Sequence, residues 1–164
     1  MGVHDLSRIN TLLDRLTLES LSLMEQHIAV KIELEKCMVG GESHVTKARY
    51  IMGHQQVSQL QLPNEDCNEF QAMGVVHHDS DNKDIIKDNL FDLEFKTVGK
   101  RSEADDVALV VNPVQWFGVL VPQSLHLAQE KFKQTLHWSI KSVNVQQKLS
   151  DCLMTIAKLN KLIN

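Results

Sequence analysis

Much of what equips a catalytic, secreted or membrane-spanning chain is missing from this one. Its three cysteines, Cys37, Cys67 and Cys152, are odd in number and widely spaced, and no Cys-x-x-Cys pair occurs. That excludes a disulfide framework and a zinc ribbon and leaves reduced thiols, as in a cytosolic protein. Aromatic residues make up 5% of the 164 positions, which is little for the core of a sandwich or barrel. No Gly-x-Gly-x-x-Gly, Walker loop, Gly-x-Ser-x-Gly or His-Glu-x-x-His is present, so the commonest phosphate-binding, hydrolase and zinc-protease signatures are absent. The longest apolar region, around Val107 to Val121, is interrupted by Asn112, Pro113 and Gln115. It falls short of the ~20 residues a membrane span requires. Arg8, Asp14, Arg15 and Glu19 likewise break any signal-peptide core in residues 1–30. The expectation is a soluble, non-enzymatic chain without transmembrane helix or signal peptide, reaching membranes through a partner or a surface.

Charge is modest in sum and uneven in distribution. The net value of −4 has the wrong sign for nucleic acid as the main partner. By segment, residues 1–60 carry −1, residues 61–106 carry −7 and residues 107–164 carry +4. An acidic middle and a basic tail attract each other, or different partners, over about a Debye length of roughly 8 Å.

Helix-breaking residues are confined to the middle. All three prolines and six of the seven glycines lie between Gly40 and Pro122, and neither residue occurs in His4–Val39 or Gln123–Asn164. In the first flank, Leu6, Leu13, Ser20, His27 and Leu34 form one seven-residue column, and Ile9, Leu16, Leu23, Val30 and Cys37 the other. This is a coiled-coil seam with polar interruptions that fix register. Leu12, Leu18, Leu21 and Ile28 widen the apolar face, which suggests more than one partner helix. The last flank begins at Pro122, a favoured first-turn residue. Leu125, Ala128, Phe132, Leu136, Ile140 and Val143 make one stripe, and after a phase slip near Val145 Leu149, Cys152, Ile156, Leu159 and Ile163 continue it. The two flanks would be about 50 Å and about 60 Å long. The predicted fold is mainly α: one elongated domain over 1–164, with terminal helices at 4–39 and 123–164 forming an antiparallel coiled-coil-like pair. Pairing between chains, giving a homodimer, is the competing arrangement.

The middle, 40–122, reads as an irregular insertion. Gly40-Gly41 ends the first helix, and Ser43 caps a short helix that runs to Met52 and is closed by Gly53. Val57–Leu62, Phe70–Val76 and Phe91–Lys96 read as short strands. The polar, acidic segment at about 77–106 is expected to be a mobile loop, with Ile85 and Ile86 arguing against complete disorder. Within it, His77-His78-Asp79 with Asp81 is the one cluster resembling metal ligands. Adjacent histidines point in different directions and no third ligand is set by spacing, so no metal is expected. No cofactor is implied either.

Two short stretches stand out as candidate contact surfaces. Trp116 and Phe117, bracketed by Pro113 and Pro122 and followed by Gly118, are stiff, large side chains of the kind that anchor cores and interfaces. They serve to pin the middle onto the helices, to anchor a partner, or both. Lys47, Arg49 and Tyr50 sit together on the short helix, where Met52 packs inward and Arg49 either meets solvent or forks onto a partner carboxylate.

These stretches also carry a resemblance. The run Trp116-Phe117-Gly118-Val119-Leu120-Val121-Pro122, with Ser124-Leu125, Ala128-Gln129 and Phe132, resembles the signature of a vacuolar-type proton ATPase assembly-factor family, whose animal members are called coiled-coil domain-containing proteins. Lys47-Ala48-Arg49-Tyr50-Ile51-Met52-Gly53 is similar to that family's second motif. The likeness covers roughly half the chain. His44 and Thr46 depart from the more aliphatic residues expected before Lys47, and residues 61–108 have no counterpart. The resemblance implies a non-catalytic assembly chaperone on the cytosolic face of the endoplasmic reticulum and the early secretory pathway, extending to endosomes or lysosomes. Its implied partners are a membrane-spanning assembly protein and the membrane-sector subunits of the pump, notably the large one, with an effect on lysosomal and endosomal acidification. The partner-binding candidates are then Lys47, Arg49, Tyr50, Met52, Trp116, Phe117, Val119, Leu120, Val121, Pro122, Leu125 and Phe132. Two other readings of the same features are a coiled-coil tether in vesicle traffic and a general holdase of the prefoldin kind.

Overall fold

In a computed structural model of the chain, the described residues are 3–65, 67, 69–78, 90–97 and 109–163. Two long helices dominate: α1, Val3–Met52, and α2, Gln123–Ile163. They pack against each other within one chain, one of the two arrangements that their repeats admit. The chain divides into two compact units, residues 1–33 with 138–164, and residues 34–137. In the first, the thiol of Cys152 on α2 donates to the Leu16 carbonyl of α1 at 3.4 Å. In the second, Cys37 Sγ lies 3.8 Å from Gln134 Oε1, Gly40 faces Lys131 and Gly41 faces Phe132. Partner numbers fall along α2 as they rise along α1, which is antiparallel pairing.

Helix α1 does not stop at Gly40-Gly41. Extending the first column by seven from Leu34 lands on Gly41 and then Ala48, both buried. At position 41 a Cβ would lie 2.9 Å from two ring carbons of Phe132, so glycine here admits a close approach of the opposite helix. Ser43 is therefore interior to α1 and caps nothing. The helix ends where Gly53, at φ 93°, donates its N–H to the Arg49 carbonyl at 2.9 Å, a left-handed C-terminal stop.

The seam of α2 also differs from the expected stripe. Val143 is 43% exposed while Ser142 and Val145 are buried. With Ser142 in place, Ala128, Thr135, Ser142, Leu149 and Ile156 keep one seven-residue step, and Val145, Cys152 and Leu159 keep the other. There is no phase slip; a polar residue at the interface disguised the register. Leu12, Leu18, Leu21 and Ile28 of α1, expected to meet further helices, are exposed.

Between the helices, Val57–Leu62 is not a strand: it forms a turn and a 3-10 helix at Gln59–Gln61, with Val57 buried. The strand expected at Phe70–Val76 is split in two. Strand β1, Phe70–Gln71, pairs in parallel with β4, Leu109–Val110. Strand β2, Gly74–His78, pairs antiparallel with β3, Phe91–Phe95, in the register His78 opposite Phe91 and Gly74 opposite Phe95. The rings of His78 and Phe91 sit 4.8 Å apart, a cross-strand pair that locks this hairpin. Most of the predicted loop at 77–106, including Asp79, Asp81, Ile85 and Ile86, lies outside the described residues. A second 3-10 helix, Pro113–Phe117, leads into α2.

The thiols divide by burial. Cys37 and Cys152 are buried and Cys67 is exposed. Burial, and secondarily the negative charge of Glu19, pushes the Cys152 thiol above its ordinary 9.0. At neutral pH we expect a thiol reagent to modify Cys67 at once, and the other two only on unfolding. Because the raised value belongs to the folded state, Cys152 favours folding less as pH rises through 9, where the unfolded thiol ionises first. Mass spectrometry after timed alkylation, with and without urea, checks the order; early modification of Cys152 would contradict the packing.

Candidate functional site

The second unit holds both stretches singled out by sequence. Its core is a cluster of Ala48, Val57, Val114 and Leu125, against which Val45, Met52, Phe117 and Val121 pack. Burying the three larger side chains contributes about 1.5–3 kcal/mol each, as an upper estimate. The 3-10 helix at 113–117 is held to this cluster by a polar clasp. Asn112 Oδ1 accepts from the Val114 N–H at 3.2 Å and from Gln129 Nε2 of α2 at 2.7 Å, while Pro113 supplies the constrained first turn. One asparagine thus fixes both the start of the block and its seat on α2.

Past Phe117 the chain reverses. Gly118 adopts φ 127°, which L side chains rarely tolerate, and throws the next two residues clear of the fold. Val119 is 100% exposed and Leu120 93%. Val121 and Pro122 return half-buried, and Leu125 enters the core.

Trp116 and Phe117 are half-buried. Trp116 meets Phe70 edge-to-face, with ring centroids 5.4 Å apart. Together with Met73, Phe95, Phe132 and Leu136, these two rings wall an apolar cavity of about 440 Å³, within the usual size range of binding pockets. Its polar lining is limited to Gln71, Gln129 and Lys133. Lys133 is 3.1 Å from Glu130, and Gln71 Oε1 accepts from Lys96 at 3.3 Å.

The motif on α1 divides by function. Arg49 Nε donates to the Val57 carbonyl at 3.0 Å, so this side chain ties the 57–62 turn to the helix. That structural bond leaves less of Arg49 for the forked ion pair envisaged from sequence. Lys47 and Tyr50 are exposed, Tyr50 at 91%. Met52 is half-buried on the core cluster. His44 occupies a seam position of α1, and its Nδ1, like Ser124 Oγ, is buried with no hydrogen-bond partner.

The structure therefore brings Met52, Phe117, Val121 and Leu125 together in the core and places Trp116, Phe117, Leu125 and Phe132 on the cavity. Val119, Leu120, Lys47 and Tyr50 remain on the surface. Sequence reasoning missed Phe70, Met73 and Phe95 as walls of the cavity. Phe95 alternates with polar neighbours, but nothing local links strands so far apart in the chain to Trp116.

Chemically the site offers shape and apolar area. Among the described residues there is no group of three or more histidines, cysteines or carboxylates able to hold a metal. A histidine–carboxylate pair, His77 with Glu94 at 2.9 Å, lies on the β2–β3 surface with both side chains more than half exposed. No helix is long and apolar enough to cross a membrane, among the described residues.

These features define an antiparallel helical hairpin whose connecting segment carries an apolar, aromatic-walled cavity. Comparison with known proteins supports the resemblance to the vacuolar-type proton ATPase assembly-factor family. The chain is similar to the vacuolar ATPase assembly protein VMA22 of Bos taurus, with 26% identity over 84% of this chain and 83% of the relative. The Mus musculus protein of the same name is 27% identical, over 84% and 83%. That of Danio rerio is 28% identical, over 80% and 82%. No family model matches the chain.

Proposed function

We propose that this chain is a non-catalytic assembly chaperone for the vacuolar-type proton ATPase. In this reading it acts at the cytosolic face of the endoplasmic reticulum, beside a membrane-spanning assembly partner, on the membrane sector of the pump, and so supports lysosomal and endosomal acidification. What carries the reading is similarity over about four-fifths of the chain to proteins named for vacuolar ATPase assembly. The cavity supplies a physical means. Trp116, Phe117 and Phe132 offer preformed apolar surface to one face of a helix of an incomplete subunit. Covering such a face lowers the concentration of aggregation-prone surface and shifts the subunit toward assembly by mass action.

The test is recovery of partners. Tagged chain pulled from mild-detergent extracts should bring down membrane-sector subunits, and depletion of the chain should raise lysosomal pH. Trp116→Ala should weaken recovery by about 2 kcal/mol, roughly thirtyfold, as expected for an aromatic anchor. Tyr50→Ala should leave it within about twofold, since an exposed rim side chain contributes little. Recovery of no pump subunit would refute the assembly role. Normal organelle pH with disturbed cargo transport would favour a vesicle tether.

A further inference from the structure

The Val119–Leu120 tip takes no part in the cavity or the core. Exposed aliphatic side chains taken singly are ordinary, but these two are adjacent, almost wholly bare, and rigidly presented. Gly118 turns them out, while Phe117 before and Val121 after are anchored on the Ala48 cluster. Ordering entropy has thus been spent in folding and is not charged again on contact. The turn after α1, tied in by Arg49, packs Val57 onto the same cluster, and Leu60 in that turn is 83% exposed.

The charge of this end is one-sided. No aspartate or glutamate occurs from Ser43 to Asn64 or from Leu109 to Gln129, the two stretches that build it. Lys47 and Arg49, both exposed, are its cations; the carboxylates bounding these stretches along the chain are Glu42, Glu65, Asp106 and Glu130. Tyr50, 91% exposed, adds an amphipathic ring of the kind that settles at headgroup level. An apolar tip borne on chain stretches that hold cations and no carboxylate matches a negatively charged membrane surface in both its layers. Aliphatic side chains enter the acyl boundary and cations meet anionic headgroups.

We propose that this end of the second unit inserts Val119 and Leu120 into the surface of an anionic lipid bilayer, giving the chain a direct membrane contact of its own. The contact goes beyond the assembly role and does not depend on it. Purified full-length chain should sediment with vesicles of phosphatidylcholine containing roughly a third phosphatidylserine, and not with phosphatidylcholine alone. Added salt should weaken the binding. Val119→Ser with Leu120→Ser, which changes only surface side chains, should keep the helical circular dichroism and lose at least about tenfold in vesicle affinity. Leu120→Trp should shift its emission to the blue on anionic vesicles and be quenched by brominated acyl chains, beyond any change of the native tryptophans. Absence of sedimentation, equal binding by the double serine variant, or an unshifted Leu120→Trp emission would overturn the proposal. Loss of pump subunits from the double variant, with no vesicle binding by the native chain, would also overturn it and mark the tip as a protein contact.

Discussion

Ala48→Asp is expected to unfold the second unit. Ala48 has 0% exposure and lies in the apolar cluster with Val57, Val114 and Leu125. Its sequence neighbours Lys47 and Arg49 are exposed. An aspartate there would be an unpaired carboxylate in apolar surroundings, with a cost of about 3–5 kcal/mol. That approaches the whole stability of many small domains. Because Met52, Phe117 and Val121 lean on the same cluster, the 3-10 block and the Val119–Leu120 tip would lose their support with it. Urea titration followed by tryptophan emission should show the transition moved to much lower denaturant or gone. Ala48→Ser, which inserts a small hydroxyl able to bond back along the helix, should cost only about 1 kcal/mol. Similar midpoints for the two variants would mean that position 48 is not sealed from water.

The adjacent glycines of α1 should respond to substitution with opposite sign. At position 40 an added Cβ would rest 3.6 Å from the Lys131 side chain, an ordinary contact, so Gly40→Ala should stabilise the chain by about 0.8–1 kcal/mol through helix propensity. At position 41 even the first added carbon meets the Phe132 ring at 2.9 Å. Gly41→Leu should therefore lose about 3 kcal/mol to forced repacking, offset by less than 1 kcal/mol of propensity. Phe132→Ala removes the obstructing ring, so the double variant should be less destabilised than the two single changes added together, by about 1–2 kcal/mol. Denaturation midpoints of the four chains decide it. Strict additivity would show that the helices do not approach at Gly41.

The two helices were legible because a seven-residue repeat persists over tens of residues and survives a few exceptions. Its failures came at seam positions filled by small or polar residues. Gly41 reads as a terminator because glycine usually ends helices, yet it continues the column through Leu34 and is answered by buried Ala48. Hydrophobicity alone favours Val143 over Ser142 for the seam, at the expense of the register, yet Ser142 is the buried one. At Gly41 the nearness of the Phe132 ring outweighs apolarity, and one stretch of sequence does not record how near its neighbour comes. The Trp116 block was legible for a different reason. Proline and glycine at its edges constrain it locally, whatever surrounds it. The cavity was not legible, since Phe70, Phe95 and Phe132 reach Trp116 only through pairing across long stretches of chain. The alternation at Phe91–Phe95 is visible in sequence, whereas the two-residue strands Phe70–Gln71 and Leu109–Val110 are too short to show one.

No large side chain among the described residues is fully enclosed, whereas Leu12, Leu18, Leu21, Ile28, Leu127 and Leu162 stand in solvent along the two helices. A chain with so thin an interior has little stability in reserve. Whatever covers those leucines would raise its melting temperature and lengthen its survival against proteolysis in proportion to occupancy. Its cellular lifetime would then follow the supply of whatever binds there, falling when that is scarce even with its own synthesis unchanged.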